Sequence, residues 1–521
     1  MPNAPLLTAD YVRHWARQTP EHPALRWGDQ HLTYRELDER SSRVAQALAA
    51  EGVGAGDRVA FLDKNGPEQA ELFFGAAKLN AVPCPVNFRL APAEIAVIVA
   101  DSQAKLFAVG AEFVPQVDKV AGDLPGTEII AIGDAQGHRS FSRWRDEHPA
   151  DDPQVAQSPQ DVAYQLYSSG TTGRPKGVQL TQANLAAGLS LYPWLLGIGP
   201  DAVVMVAMPL YHIGGGGWLL AGHAVGATNV IVRDAVPSDL VALIPAAGIT
   251  HTFLVPAVLQ FMLAVPGAAA QDYSSLQNIL YGASPISEKV LTASIETFQC
   301  GFVQAYGLTE STGTVAYLPE ADHQPDGPNR QRLRSVGRPI PGTEMRIADP
   351  ASGRDVKQGE VGEIWIKGPT VMKGYWNLPD ATAASIDAEG WLRSGDAGYH
   401  DADGYIYVHD RVKDMIVSGG ENVYPAEVEN VIMSHPQVAD VAVIGVPSET
   451  WGETPLAVVV RTAGSSLTEG ELLAYCRERL AGFKCPSGVD WAEQLPRNPS
   501  GKIVKKDLRA PYWEGRTRLV G

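Results

Sequence analysis

The sequence contains little cysteine: four of its 521 residues, namely Cys84, Cys300, Cys476 and Cys485. No two of them have the Cys-x-x-Cys spacing, so neither a disulfide framework nor a zinc site is expected. We interpret all four as ordinary reduced thiols, as is typical of the cytosol.

Long apolar runs and an excess of positive charge are also lacking. The first residues, MPNAPLLTADYVRHWARQ, have no apolar core of the signal-peptide type, and no run reaches membrane-spanning length. Lys and Arg number 42 against 59 Asp and Glu, a net charge of −17. This balance disfavours nonspecific binding to nucleic acid or anionic membranes. We therefore expect a cytoplasmic protein with no nucleic-acid partner and no transmembrane segment.

The length and the spacing of hydrophobic residues predict several folding units of α/β type. Thr33 and Glu36 form a T-x-x-E capping box, and apolar residues then recur at helical spacing as far as Gly52. Strand-like runs alternate with such helices: Arg58–Leu62, Val203–Ala207, Asn229–Val232 and Ile279–Tyr281. The alternation predicts α/β layers with a largely parallel sheet.

The pattern changes after about residue 336. Short β-rich segments separated by Gly, Pro and Asp continue to 409, which predicts a compact, β-barrel-like unit. The last part of the chain, roughly 110 residues, is long enough for a small independent α+β domain.

Residues 164–178, YQLYSSGTTGRPKGV, are the most informative stretch. A β-type run leads into a loop of small and hydroxyl residues, followed by Lys176. Glycines bring backbone N–H groups close to an anion, and the hydroxyls and the lysine add donors, so the loop suits a phosphate. It is not the common P-loop, because Pro175 precedes the lysine and Gly177 follows it. From composition alone, a flexible surface turn is the alternative.

This stretch resembles the signature of adenylate-forming enzymes, which include acyl-CoA synthetases, luciferases and peptide-synthetase adenylation domains. Further segments occur in that family's order: YGASP at 281–285, YGLTEST at 306–312, WLRSGDAG at 391–398, DRVKDMIVSGGENVYPAEVE at 410–429 and PRNPSGK at 496–502. The resemblance covers nearly the whole chain. It implies a large N-terminal domain of α/β subdomains with the β-barrel-like unit, followed by a small mobile C-terminal domain.

The resemblance implies an ATP site. The phosphate loop would hold the β- and γ-phosphates through Lys176 and through Ser168, Ser169, Gly170, Thr171, Thr172 and Gly173. The adenine would stack on Tyr306, beside Gly307, and lie along the backbone of Gly282, Ala283 and Ser284.

The same resemblance assigns the ribose and the reacting phosphates. Asp396 would bind the ribose hydroxyls, and Arg411 would bridge ribose and phosphate. Thr309 and Glu310 would belong to the catalytic set, with Glu310 as ligand of Mg²⁺, a hard ion that prefers oxygen.

The resemblance also divides the chain into an N-terminal domain (1–410), a hinge (411–413) with Lys413 as the hinge residue, and a C-terminal domain (414–521). Lys502 would be the catalytic lysine, a cation that neutralises charge as a carboxylate attacks the α-phosphate. The pantetheine arm of CoA would pass Gly419, Gly420 and Glu421.

The segment PLYHIGGGG at 209–217 places His212 before four glycines. His212 falls where the family has an aromatic gate between the acyl pocket and the CoA tunnel. The glycines either leave space for an acyl group or permit close helix packing. Peptide-synthetase domains usually carry an Asp in this region to hold an ammonium group; Tyr211 and His212 here argue against an amino-acid substrate.

The sequence thus predicts a carboxylic acid–CoA ligase that uses ATP, CoA and Mg²⁺, first forming acyl-AMP and then the thioester. A medium- or long-chain fatty acid is the first expectation for the substrate, with an aryl or cinnamate-type acid next. The alternatives are an adenylating enzyme that loads a carrier protein or oxidises its adenylate, and a catalytically silent nucleotide-binding protein. Oligomeric state is left open, a homodimer being one option.

Overall fold

The computed structural model describes residues 7–169, 175–411, 414–418, 421–497 and 502–514, without the side chains at 169, 410, 411, 421 and 422. Its strands and helices are numbered below in chain order.

The strands are β1 (Pro23–Trp27), β2 (Gln30–Thr33), β3 (Arg58–Leu62), β4 (Val82–Pro85), β5 (Leu106–Gly110), β6 (Glu128–Ile132), β7 (Arg139–Ser140), β8 (Val162–Ser169), β9 (Pro175–Thr181), β10 (Val203–Val206), β11 (Thr228–Ile231), β12 (His251–Leu254), β13 (Asn278–Gly282), β14 (Gly301–Leu308), β15 (Gly313–Leu318), β16 (Arg338–Pro339), β17 (Glu344–Ala348), β18 (Gly362–Lys367), β19 (Gly374–Tyr375), β20 (Leu392–His400), β21 (Ile406–Arg411), β22 (Ile416–Ser418), β23 (Glu421–Val423), β24 (Val438–Ser448), β25 (Gly452–Arg461) and β26 (Val489–Trp491).

The α-helices are α1 (Thr8–Gln18), α2 (Tyr34–Ala50), α3 (Pro67–Lys78), α4 (Pro92–Ser102), α5 (Val114–Val117), α6 (Phe141–Asp146), α7 (Gln182–Leu189), α8 (Tyr192–Leu196), α9 (Ile213–Val225), α10 (Pro237–Ala247), α11 (Pro256–Leu263), α12 (Glu288–Phe298), α13 (Pro379–Ser385), α14 (Pro425–Met433), α15 (Glu469–Arg477) and α16 (Lys505–Trp513).

A nine-stranded sheet forms the centre of the large N-terminal part. Its order is β16-β15-β14-β13-β12-β10-β11-β1-β2. The strands from β14 to β1 run parallel, and antiparallel strands complete both edges. The parallel strands are buried and rich in β-branched and aliphatic residues, as expected for strands covered by helices on both faces.

A second, parallel sheet lies nearer the N-terminus, in the order β4-β3-β5-β6-β7. Helix α2 packs beside it and begins at the predicted capping box: the Thr33 side chain accepts from the Glu36 N–H, and the Glu36 carboxylate accepts from the Thr33 N–H at 2.8 Å. Such reciprocal capping satisfies two backbone donors that the first turn would otherwise leave unpaired.

The predicted β unit is an antiparallel sheet in the order β17-β18-β20-β21. A three-stranded sheet, β19-β9-β8, contains the two strands that flank the phosphate-loop segment. The C-terminal unit has its own sheet, β23-β22-β25-β24 with β26 beside β25, and its own apolar core around Val428, Val443 and Leu472.

The predicted fold class is therefore confirmed: a large α/β part is followed by a small α+β unit. The strand predicted at Arg58–Leu62 matches β3 at both ends, and the other predicted strands lie within a residue or two of the observed ones. In the described part of the chain, no helix is both long enough and apolar enough to cross a membrane.

Candidate functional site

The predicted adenine-binding segments lie together at the carboxyl ends of two neighbouring parallel strands. Strand β13 ends at Gly282, which pairs with Ala305 on β14, and Tyr306 follows. A Cβ on Gly282 would stand 2.1 Å from the carbonyl oxygen of Ala305, so only glycine fits this close approach. Ligands of open α/β sheets bind at this edge of the sheet.

The backbone after Gly282 is unusual. Ala283 has φ of 66°, in the left-handed region that residues with a Cβ rarely adopt. Strained conformations of this kind persist where the surrounding structure holds them, often at ligand sites. Ala283 is exposed and Ser284 half-buried, and both border the same cavity.

Tyr306 and Asp396 are joined directly. The Tyr306 hydroxyl donates to Oδ2 of Asp396 at 2.6 Å, although the two residues are 90 positions apart. The Asp396 N–H donates to Oγ of Ser394 at 3.0 Å. One residue earlier in β20, the Gly395 N–H donates to the buried carboxylate of Glu363. The predicted ribose carboxylate is thus held by Tyr306, and the backbone that carries it is held by Ser394 and Glu363.

The predicted metal ligand is held by two hydroxyl donors. Oε1 of Glu310 accepts from Oγ of Ser168 at 2.9 Å and from the Tyr375 hydroxyl at 3.1 Å. Thr309 lies in the same single turn of helix and is half-buried. The structure therefore brings the start of the phosphate loop and the YGLTEST segment into contact.

The predicted phosphate lysine lies beside the same tyrosine. Nζ of Lys176 is 4.7 Å from the ring centroid of Tyr375, a cation–π distance. Lys176 pairs with Ser168 across the β8–β9 ladder, and Tyr375 pairs with Val178 on the other side of β9. The ring thus contacts the cation while its hydroxyl contacts Glu310, and no ion pair joins Lys176 to Glu310.

A cavity of about 350 Å³ joins this edge of the large part to the C-terminal unit. It is bordered on one side by Ala283, Tyr306 and Asp396, and on the other by Lys502 and Glu429. The volume lies within the range usual for small-molecule sites. A roomier open cleft, about 760 Å³, lies along residues 134–147, and none of the predicted site residues borders it.

His212 stands immediately before α9, near Lys502. Burial lowers the pKa of His212 to about 4, with smaller contributions from the charges of Lys502 and Arg89. The imidazole is therefore neutral near pH 7. Its Nε2 is buried, with no hydrogen-bond partner among the described residues. Its ring lies 4.5 Å from that of Tyr211.

The glycines that follow His212 serve close packing. A Cβ on Gly215 would stand 2.2 Å from the carbonyl oxygen of Pro209, and one on Gly216 would stand 2.5 Å from the Tyr164 hydroxyl. At Gly214 the space is taken by the ring of Phe253, 2.7 Å away. Of the two interpretations left open by the sequence, close packing holds at these three positions.

Several predicted residues lie outside the described part of the chain. These are Gly170, Thr171, Thr172, Gly173, Lys413, Gly419 and Gly420, together with the side chains of Ser169, Arg411 and Glu421. Their roles stay predictions. For Arg411 the backbone position is described, and it pairs with Asp396 in the β20–β21 ladder.

Tyr375 and Glu363 were not predicted from the sequence. Each contacts a predicted residue from a strand distant along the chain: Tyr375 is 65 residues from Glu310, and Glu363 is 32 from Gly395. The only local signal for Tyr375 is a glycine–aromatic pair after a turn, which is common in β proteins.

Comparison with known proteins identifies the family to which this chain belongs. Residues 12–376 match the family described as AMP-binding enzyme, and residues 427–502 match its C-terminal domain. The chain belongs to the AMP-binding enzyme family. The predicted resemblance to adenylate-forming enzymes is confirmed, as is the enzyme class, an AMP-forming acid–thiol ligase.

Relatives cover almost the whole chain. A fatty acid–[acyl-carrier-protein] ligase, ScoC of Streptomyces coeruleorubidus, is 40% identical over 97% of this chain and 96% of its own. A feruloyl-CoA synthase of Amycolatopsis is 38% identical, over 95% of this chain and 97% of its own. The long-chain-fatty-acid–CoA ligase FadD13 of Mycobacterium tuberculosis is 37% identical, over 93% of this chain and 94% of its own.

Among solved structures, the anthranilate CoA ligase AuaEII in complex with anthranoyl-AMP superposes with a TM-score of 0.90 at 28% identity. The match covers 98% of each chain.

Proposed function

We propose that the protein is a carboxylic acid–CoA ligase acting on a medium- or long-chain fatty acid. ATP and the acid give acyl-AMP and pyrophosphate; the CoA thiol then displaces AMP. A single observation carries the proposal: the Tyr306–Asp396 pair and Lys502 border one cavity although they come from opposite sides of it.

The first step follows from the charges around the cavity. A carboxylate must approach the α-phosphate, so two negative groups have to come together. Lys502 supplies a cation where this charge develops, which favours the transition state over the separated reactants. On the opposite side, the ring of Tyr306 would hold adenine while Asp396 accepts from the ribose hydroxyls.

The residues around Glu310 suit Mg²⁺. Its carboxylate is a hard oxygen donor already oriented by Ser168 and Tyr375. The described residues contain no cluster of three His, Cys, Asp or Glu side chains that could hold a metal. The ion would therefore be held by Glu310 and phosphate oxygens, as is usual for Mg²⁺ at nucleotide sites, and would supply neutralising charge.

The surroundings of His212 favour a plain acid over an amino acid. The charges that act on His212 are Lys502 and Arg89, both cations. They attract a carboxylate and repel an ammonium group. Tyr211, next to His212, is buried, and burial raises its pKa to about 12, so it adds no negative charge near neutral pH.

A carrier protein in place of CoA is the second candidate. The 40% identity to ScoC over 97% of the chain favours it. The 38% identity to a feruloyl-CoA synthase favours an aryl acid as the alternative substrate.

The test is a panel of acids with ATP and Mg²⁺, with pyrophosphate release as the first readout. Each active acid is then offered CoA or a phosphopantetheinylated carrier protein, and the thioester is identified by mass. We expect release with fatty acids of eight or more carbons and a CoA thioester. A carrier-only thioester would replace CoA in the proposal, and no release with any acid would overturn it.

A further inference from the structure

Four aromatic rings form a continuous column beside the cavity. Tyr407 and Tyr399 stack at 4.9 Å between centroids with planes 7° apart. The ring of His409 lies 5.3 Å from that of Tyr399 and stacks on that of Tyr424 at 4.5 Å, with planes 24° apart. The first three rings belong to β20 and β21 of the large part; the fourth belongs to the C-terminal unit.

A β-bulge places His409 in this column. Across the β20–β21 ladder Ala397 pairs with Asp410 and Gly398 pairs with Val408, so His409 is the additional residue between two pairs. Bulges re-aim a side chain relative to its neighbours. Here the bulged residue borders the cavity that contains Tyr306 and Lys502.

Tyr424 belongs to the opposite side. It directly precedes α14, and the residue is 8% exposed. Helix α14 packs against β24 in the C-terminal unit and contributes Ala426 and Glu429 to the cavity wall. The His409–Tyr424 pair therefore joins the two sides of the site. A hydrogen bond from Gln260 to the carbonyl oxygen of Ala439 is another contact between them.

We propose that the His409–Tyr424 stack is a latch that holds the C-terminal unit where Lys502 borders the cavity, so that it favours adenylation over thioester formation. The proposal rests on the proposed function. The stack exists only when the two sides adopt this arrangement, so its energy stabilises this arrangement alone. An aromatic pair typically shifts such an equilibrium by roughly 2- to 10-fold.

The test compares three variants in the two half-reactions, measured separately. Tyr424→Leu removes the ring, and Tyr424→Phe keeps it. Tyr475→Leu is the matched control, since Tyr475 makes an edge-to-face contact with His435 at 4.9 Å inside the C-terminal unit. We expect Tyr424→Leu to slow acid-dependent pyrophosphate release by roughly 2- to 10-fold, and conversion of supplied acyl-AMP to acyl-CoA to be unchanged or faster.

We expect Tyr424→Phe and Tyr475→Leu to behave as the unaltered protein in both half-reactions. Equal losses in both half-reactions for Tyr424→Leu would mean that the ring only stabilises the fold. No loss in either half-reaction would mean that the ring does not hold the C-terminal unit in place. Each result overturns the latch.

A second readout needs no activity. Acetylation of Lys502 by a small amine-reactive ester, followed by mass spectrometry, reports how far the cavity is open. We expect faster labelling in Tyr424→Leu and in His409→Leu. The double variant should be labelled no faster than the quicker single variant, because both substitutions remove the same contact. Unchanged labelling would overturn the latch even if pyrophosphate release shows that the proposed function itself is wrong.

Discussion

The two walls of the cavity are built differently. On the large part, the predicted nucleotide-binding side chains form hydrogen bonds with one another: Tyr306 with Asp396, and Ser168 with Glu310. On the C-terminal unit, the charged residues pair within the unit, as Lys505 does with Glu429 at 2.9 Å. One wall is thus preorganised for binding, and the other can move as a body without breaking its own ion pairs.

This difference suggests a division of labour. Groups that recognise ATP gain from fixed positions, because their ordering costs nothing when the ligand arrives. A group that acts in one half-reaction gains from a separate support. The predictions below change the fixed wall first, and the comparison is weakened if changes there leave ATP binding unaltered.

The largest effect on the fixed wall is expected at Glu310. Glu310→Gln keeps an oxygen for Ser168 and Tyr375 but removes the charge proposed to bind Mg²⁺. We expect adenylation to fall by about 10²–10³-fold, as for the loss of one preorganised electrostatic contact. Titration of MgATP into the variant by calorimetry should also show weaker binding. The exposed Glu344→Gln is the control, and Mg²⁺ dependence unchanged from that control would contradict the assignment.

A smaller effect is expected at Tyr306. Tyr306→Phe keeps the ring for adenine but removes the hydroxyl at 2.6 Å from Asp396. A hydrogen bond to a charged group contributes about 1.5–3 kcal/mol, so we expect the KM for ATP to rise about tenfold with a smaller change in kcat. Tyr273→Phe, which removes a buried hydroxyl bonded to the Ala268 carbonyl at 2.9 Å, is the matched control. Equal KM values in the two variants would show that the bond does not position Asp396.

The smallest effect concerns stability against acid. The folded state holds the pKa of His212 at about 4, below the ordinary value of 6.5, mainly through burial. Between these values the unfolded chain takes up the proton first. The contribution of His212 to the free energy of unfolding is therefore fully present above pH 6.5 and is lost as the pH drops towards 4.

The size of this effect is about 1 kcal/mol per pH unit within that window. Urea unfolding at pH 7, 6 and 5 should show a shallower decline for His212→Gln than for the unaltered protein. Burial also lowers the pKa of His323 to about 4, so part of the decline should persist in the variant. An identical decline in both proteins would mean that His212 is not desolvated.

The sequence predicted the strands named above and several of the residues that border the cavity, among them Tyr306, Asp396 and Lys502, because those signals are local. The capping box at Thr33 and the alternating strands depend on neighbours in the chain. The contacts within the site do not depend on neighbours in the chain, since Ser168 and Glu310 are 142 residues apart. Tyr375 and His409 could not be predicted, since their importance comes from a strand pairing and a bulge that no local pattern encodes.

The most direct test of the account is to measure both half-reactions in Lys502→Ala. Lys502 borders the cavity from the C-terminal unit, and the account gives it a role only while acyl-AMP forms. We predict a loss of about 10²–10³-fold in acid-dependent pyrophosphate release. Conversion of supplied acyl-AMP to acyl-CoA should keep its normal rate. Equal loss of both half-reactions, or no loss of the first, would contradict the division between a fixed binding wall and a separate catalytic one.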